Sequence, residues 1–231
     1  MQKKDKLGAK SLLSADWEAL YKKLTVVEDK ILKLEKEMEY LRAQSGQQTT
    51  PLQKSIPSVR VPLRSQPLDS LSGKAVKAML KKYDFYCAEN DEWGIGWSNA
   101  KGKGIANQFE RRKKVVFDAA TGLTWQQSGS ANSMDFTAAE RYVHGLNYKD
   151  FAGYDDWRLP TLEEAMSLME REMKHDGLYI NPIFDNIEGD IWTADEESAS
   201  NQWQVFFYYG FCSSSSTDSY VRAVRGGQSI I

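Results

Sequence analysis

"WQVFFYYGFCSSSSTDSYVRAVRGG", Trp203 to Gly227, opens as a strongly strand-forming run, breaks into four consecutive serines and resumes as "YVRAVR". Strand alternation sends Trp203, Val205 and Phe207 to one face, and Gln202, Gln204, Phe206 and Tyr208 to the other. Taken as strands, "WQVFFYY" and "YVRAVR" join "DIWTAD" (Asp190–Asp195) in an antiparallel meander. The serine tract has two readings at this point. It is either a plain hairpin turn or a display of adaptable side chains.

Upstream of the meander the pattern turns helical. "LPTLEEAMSLMERE" (Leu159–Glu172) has Pro160 and Thr161 at its start and Glu163 and Glu164 in its first turn, and it turns Leu162, Ala165, Met166 and Met169 to a core. "MDFTAAERYVHGLN" (Met134–Asn147) is a second helix, with Ala138, Tyr142 and Val143 on one face. "KKVVFDAATGLTWQQ" (Lys113–Gln127) reads as a strand, a turn at Thr121–Gly122, and a strand ending at Trp125. A helix capped by Ser72 and carrying Val76, Met79, Leu80 and Tyr83 precedes a glycine-rich stretch containing Trp93 and Trp97. Helices followed by a meander give an α+β domain over residues 73–231.

The N-terminal region is built differently. Trp17, Leu20, Leu24, Val27, Ile31, Leu34, Met38 and Leu41 alternate in spacings of three and four, a heptad seam that Leu13 extends. In a parallel assembly the g-to-e pairs Lys23–Glu28, Lys30–Glu35 and Glu37–Arg42 are all opposite in sign. Residues 1–44 are therefore expected to form an α-helical coiled coil that makes the chain a homo-oligomer. The mixed a and d residues, with β-branched Val27 at d, point to a trimer rather than a strict dimer. Residues 45–72 hold four of the six prolines among Ser, Gln and Thr, and read as an extended linker whose apolar piece "IPSVRVPL" is free to dock on a neighbour.

Composition narrows the function. Lys plus Arg number 30 against 32 Asp plus Glu, a net charge of −2, which gives no basic footprint for nucleic acid. No run of about 18 apolar residues exists to span a membrane. No apolar h-region follows the charged start, so the cytoplasm is the expected location, with export by another route left open. Cys87 and Cys212 are too few for a cysteine zinc site; they read as buried thiols that pair only if folding brings them together. His144 and His175 are far apart and fit no zinc-binding spacing, so neither a metal nor a cofactor is expected. "GIGWSNAKGKGI" lacks the phosphate-loop pattern, and no GxSxG elbow occurs.

The most specific motif is "AGYDDWRLPT", Ala152 to Thr161. Asp155 and Asp156 could serve as catalytic or calcium-binding carboxylates and Arg158 as an anion ligand. A fixed corner needs the same residues for another purpose: a buried Trp157, an Arg158 paired with an acid, and a Pro160 that starts a helix.

Together "TGLTW", "GYDDWRLPT", "IWTAD", "WQVFF" and "YVRAVR" resemble the C-terminal domain of the Legionella collagen-like adhesins, the Lcl C-terminal domain family, over Val115–Gly227. That family is similar to C-type-lectin-like domains, including the ligand-binding ends of variable proteins made by diversity-generating retroelements. The resemblance implies a C-type-lectin-like scaffold that binds and does not catalyse. Trp125, Trp157, Arg158, Pro160, Trp192 and Trp203 would be its framework. Gln202, Gln204, Phe206, Tyr208, Phe211, Ser213, Ser214, Ser215, Ser216 and Asp218 would meet a protein or glycan ligand, Tyr, Phe and Ser being what an adaptable binding surface uses. The formylglycine-generating enzymes share the fold class and are the enzymatic alternative. They depend on two neighbouring cysteines in the C-terminal part, where this sequence has Cys212 alone.

Overall fold

The computed structural model describes residues 60–90, 96–174, 177–185 and 189–226, together with Lys30 and Lys33. The chain divides into two units, residues 1–54 and residues 55–231. In the first, Lys30 and Lys33 are helical and exposed. The heptad positions Trp17, Leu20, Leu24, Val27, Ile31, Leu34, Met38 and Leu41 lie outside the described residues, as does the linker up to residue 59.

The second unit is an α+β domain with two antiparallel sheets and short helices. Helix α1 (Gly73–Lys82) starts where the Ser72 side chain accepts the Ala75 N–H, and it buries Val76, Met79 and Leu80. Strands β1 (Phe109–Arg112), β2 (Val115–Asp118) and β3 (Leu123–Gln126) follow as a meander. Asp118 shapes the β2–β3 turn: its carboxylate accepts from the backbone of Gln108 and Ala120 and from the Thr121 hydroxyl. Helix α2 (Phe136–Tyr148) is capped by Asp135 and buries Ala139, Val143 and Leu146. The buried alanine is thus Ala139, one position on from the expected Ala138. Helix α3 (Leu162–Met166) is a single short turn closed by a Thr161–Glu164 capping box. Strands β4 (Asp190–Ser198), β5 (Asn201–Phe206) and β6 (Phe211–Ser215) form the second sheet, and β7 (Val224–Gly226) joins the first in the order β1-β2-β3-β7. Among the described residues no helix is long and apolar enough to cross a membrane.

"YVRAVR" does not join the meander as expected: only its Val224 and Arg225, with Gly226, form a strand, and that strand is drawn to β3 of the other sheet by the Trp125–Val224 pairing. Three further readings change here, each for a physical reason. Three of the four serines lie in a strand rather than in a turn. Ser213, Ser214 and Ser215 pair in register with Gln204, Trp203 and Gln202 of β5, so backbone pairing overrides the low strand propensity of serine. The second concerns β5, which has no solvent face. Val205 pairs with Ile191 and points into one hydrophobic cluster with Trp203 and Phe207; Gln204 pairs with Trp192, which belongs to a second cluster beneath α2, edge-on to Phe136. Cross-strand partners share a face, so Gln204 is buried with Trp192.

The third is the linker. From residue 60 onward it is extended as expected, but it is docked on the domain. Val61 N–H bonds the Ala120 carbonyl, Leu71 N–H the Glu196 carbonyl, and Leu63 and Leu71 are buried. Arg64 makes a bidentate pair with the fully buried Asp195, both contacts at 2.7 Å, and Asp195 also accepts the backbone N–H groups of Leu68 and Leu162 at 2.7 Å. By these contacts residues 61–71 pack as part of the second unit.

Candidate ligand-binding surface

The framework residues are fixed by burial and by a set of hydrogen bonds. Asn147 clamps Trp157, accepting its backbone N–H at 2.7 Å and donating to its carbonyl at 2.8 Å, while the Trp157 indole N–H reaches the Phe151 carbonyl at 3.0 Å. Arg158 forms two 2.6 Å bonds to Glu164, which is fully buried. The backbone of Arg158 exchanges two 2.9 Å bonds with Val224, so "DWRLPT" and "YVRAVR" lie side by side. Pro160 is buried and its carbonyl accepts Ala194 N–H. Trp192 donates to the Met134 carbonyl, and Trp203 to that of Leu71. Trp125 is fully buried.

The acid pair of the motif is separated by its partners. Asp155 is exposed, while Asp156 takes the Arg225 guanidinium at 2.5 and 3.1 Å, which holds its carboxyl below the usual range. Arg225 in turn lies 3.8 Å over the Tyr154 ring. Arg158 is taken up by Glu164. Among the described residues no three His, Cys, Asp or Glu side chains converge on a point that could hold a metal. His144 is exposed on α2, and His175 lies outside the described residues.

Of the ten expected ligand contacts, Gln202, Gln204, Phe206, Phe211 and Ser213 are buried and do not present their side chains to solvent. Phe211 is stacked against Phe206. Gln204 donates to the Thr217 carbonyl at 2.9 Å. Ser214 and Ser215 are half-buried, Ser214 donating to Glu197 at 2.5 Å and Ser215 bonding Thr217 at 2.8 Å. Ser216, Asp218 and Tyr208 are exposed. They do not form one patch: Tyr208 sits at the β5–β6 turn, while the serines reach solvent at the far end of the hairpin, roughly four strand residues or 13 Å away.

At the turn the backbone is pinned and the side chains stand out. Tyr208 N–H bonds the Gly189 carbonyl, Tyr179 N–H bonds the Phe207 carbonyl, and Ala88 N–H bonds the Gly210 carbonyl, at 3.1, 2.8 and 2.8 Å. Gly210 has φ +74°, and a Cβ there would come within 3.1 Å of the stacked rings of Tyr86 and Tyr179. At Gly189 a Cβ would strike the Tyr208 ring, so glycine lets that ring lie on the backbone. Tyr208 and its neighbour Tyr209 are nonetheless 52% and 54% exposed. Sequence reading passed over Tyr209, because alternation ends at the turn and gives no face beyond it.

Hollows among the described residues add to the surface, two of them as follows. One of about 360 Å³ is lined by Pro67, Phe136, Glu140, His144, Trp157 and Glu196. The other, about 540 Å³, lies at the β1–β2 turn and is lined by Arg112, Lys113, Lys114 and Tyr154.

Residues 114–225 match the Lcl C-terminal domain family. The match spans just under half of the chain and includes the "DWRLPT" corner, β2 to β6 and most of β7. No curated protein matches the chain.

Proposed function

Since the chain carries an Lcl C-terminal domain over residues 114–225, we propose that it is a non-catalytic ligand-binding protein on a C-type-lectin-like scaffold. The observation that carries this reading is the β5–β6 turn: two adjacent tyrosines, each about half exposed, on a backbone held by three separate segments. Rigid aromatic side chains offer contact area at low entropy cost, and a pinned backbone spares the ordering cost on binding. Ser214, Ser215, Ser216 and Asp218 form a second, polar contact region at the other end of the hairpin. In a variable protein of a diversity-generating retroelement these exposed positions are the ones that could change without disturbing the core. The oxidoreductase alternative would require a substrate to reach Cys212, which is fully buried.

The N-terminal heptads would make the display multivalent, in a parallel homo-oligomer of three chains. Linking weak sites raises avidity by about 10² to 10⁴ where the linker lets them engage together.

Glycan and protein arrays probed with the full chain test both parts of the proposal. Hits are expected to weaken by at least about tenfold in Tyr208→Ala and Tyr209→Ala, with melting unchanged, and to lose avidity in a chain beginning at Ser55. If Lys113→Ala with Lys114→Ala removes binding while both tyrosine variants bind normally, the site is the β1–β2 hollow and the tyrosine turn is not the recognition surface.

A further inference from the structure

Cys87 and Cys212 are more than a hundred residues apart in sequence, yet the fold places them together. Cys87 follows α1 and pairs with Asn99 in an isolated bridge; Cys212 is the second residue of β6. Ala88 N–H bonds the carbonyl of Gly210, and the Trp97 indole N–H bonds the carbonyl of Cys212 at 3.0 Å, so the two segments are fastened on either side of the sulfurs. Both side chains are fully buried in the same hydrophobic cluster, near enough for each thiol to perturb the ionisation of the other.

We propose that Cys87 and Cys212 are a disulfide-forming pair whose closure covalently ties β6, and with it the tyrosine turn, to the chain that follows α1. The step is thiol–disulfide exchange with a small-molecule disulfide. The thiolate of one cysteine attacks the donor disulfide, expelling one thiol and forming a mixed disulfide. The second cysteine then displaces the remaining donor sulfur, so two thiols and one disulfide become one protein disulfide and two released thiols. The closeness of the two thiols favours Cys87 as the first attacker. Cys212 holds the Cys87 thiol below its ordinary value against the effect of burial, while Cys87 together with burial pushes the Cys212 thiol well above. Since neither sulfur touches solvent, closure belongs to folding or to a transient opening, and the closed bond is then shielded from reductant. A reducing compartment leaves the pair as thiols; an oxidising one closes it. None of this depends on what ligand the surface takes.

The test uses the full chain, unfolded and reduced, then refolded with either oxidised glutathione or excess dithiothreitol. After refolding with oxidised glutathione, thiol titration in denaturant should fall from two per chain to none, and mass spectrometry should find the peptides of Cys87 and Cys212 joined. The oxidised protein should melt roughly 10 °C or more above the reduced one, as expected for closing so long a loop. Dithiothreitol added to the folded oxidised protein should leave the bond intact until denaturant is present. Cys87→Ser and Cys212→Ser should each show no such oxidant-dependent rise. The pairing is refuted if the wild-type chain refolds with two glutathione adducts or as intermolecular dimers, or if the joined protein melts below the reduced one.

Discussion

Replacing Arg64 by Met removes one charge and keeps most of the aliphatic stem. Asp195, the partner, is fully buried, and both guanidinium contacts are 2.7 Å. Without them its carboxylate keeps, among the described residues, the N–H groups of Leu68 and Leu162. Breaking a buried ion pair by removing one member costs about 3–5 kcal/mol, because the other charge stays desolvated. The Arg64 side chain is 21% exposed, so water can reach part of the vacated space and the lower end applies, about 3 kcal/mol. For a domain of this size that is a fall in melting temperature of roughly 6–12 °C. The same reasoning scales up. A chain beginning at Gly73 loses this pair and also the buried Leu63 and Leu71, each worth about 2–5 kcal/mol. The sum is comparable to the roughly 5–15 kcal/mol that holds a typical domain folded. Urea and thermal melts of Arg64→Met, and of chains beginning at Ser55 and at Gly73, measure both. A cooperative transition in the Gly73 chain within a few degrees of the Ser55 chain, or an Arg64→Met loss below about 0.5 kcal/mol, would show that residues 60–72 are only laid on the surface.

Two further outcomes can be measured on the same melts. Gln204→Ala should cost about 1–3 kcal/mol, because the fully buried amide loses its bond to Thr217, while Trp203→Ala costs about 3–5 kcal/mol and Ser216→Ala stays within about 0.5; a neutral Gln204→Ala would return that position to the solvent face. Burial pushes the Asp190 carboxyl above its ordinary value, against the hydrogen bond from Ser219. Protonation of Asp190 therefore favours the folded state. Its contribution is full below about pH 4 and is lost as pH rises through the folded-state value. Asp190→Asn should abolish that decline and raise stability at pH 7, and an unchanged pH profile would contradict it.

What could be read from the sequence was mostly local. The Ser72 cap, the strand–turn–strand around Gly122 and the helix start at Thr161 are each set by residues within a few positions of one another. Their propensities agree with the fold. The "DWRLPT" and "YVRAVR" pieces marked the family. What escaped was decided across the chain. Alternation within β5 was right about Trp203, Val205 and Phe207, but it could not tell that Trp192 and α2 would close over Gln204. The serines of β6 carry no strand signal of their own and are held by β5. Nothing in the irregular spacing of Leu63 and Leu71 announced a groove to receive them, and the acid that fixes Arg64 lies 131 positions away. The tyrosine turn was half visible, Tyr208 by its parity and Tyr209 not at all.

The side-by-side lie of "DWRLPT" and "YVRAVR" has a consequence for how the protein comes to be made. Val224 bridges to Arg158 and pairs with Trp125, Ala223 is bonded to Gln126, and Tyr220 to Trp192, so the last described residues close both sheets. A chain emerging from the ribosome cannot complete the first sheet until residues 224–226 have been made, after every strand of the second. Until then the edge of β3 that receives β7 stays open. Loop-closure entropy over such separations makes the final step slow relative to helix formation. Removing residues 222–226 would therefore leave the second sheet with all its strands but strip β3 of its β7 partner and Arg158 of its two backbone bonds to Val224, leaving an open edge exposed to aggregation.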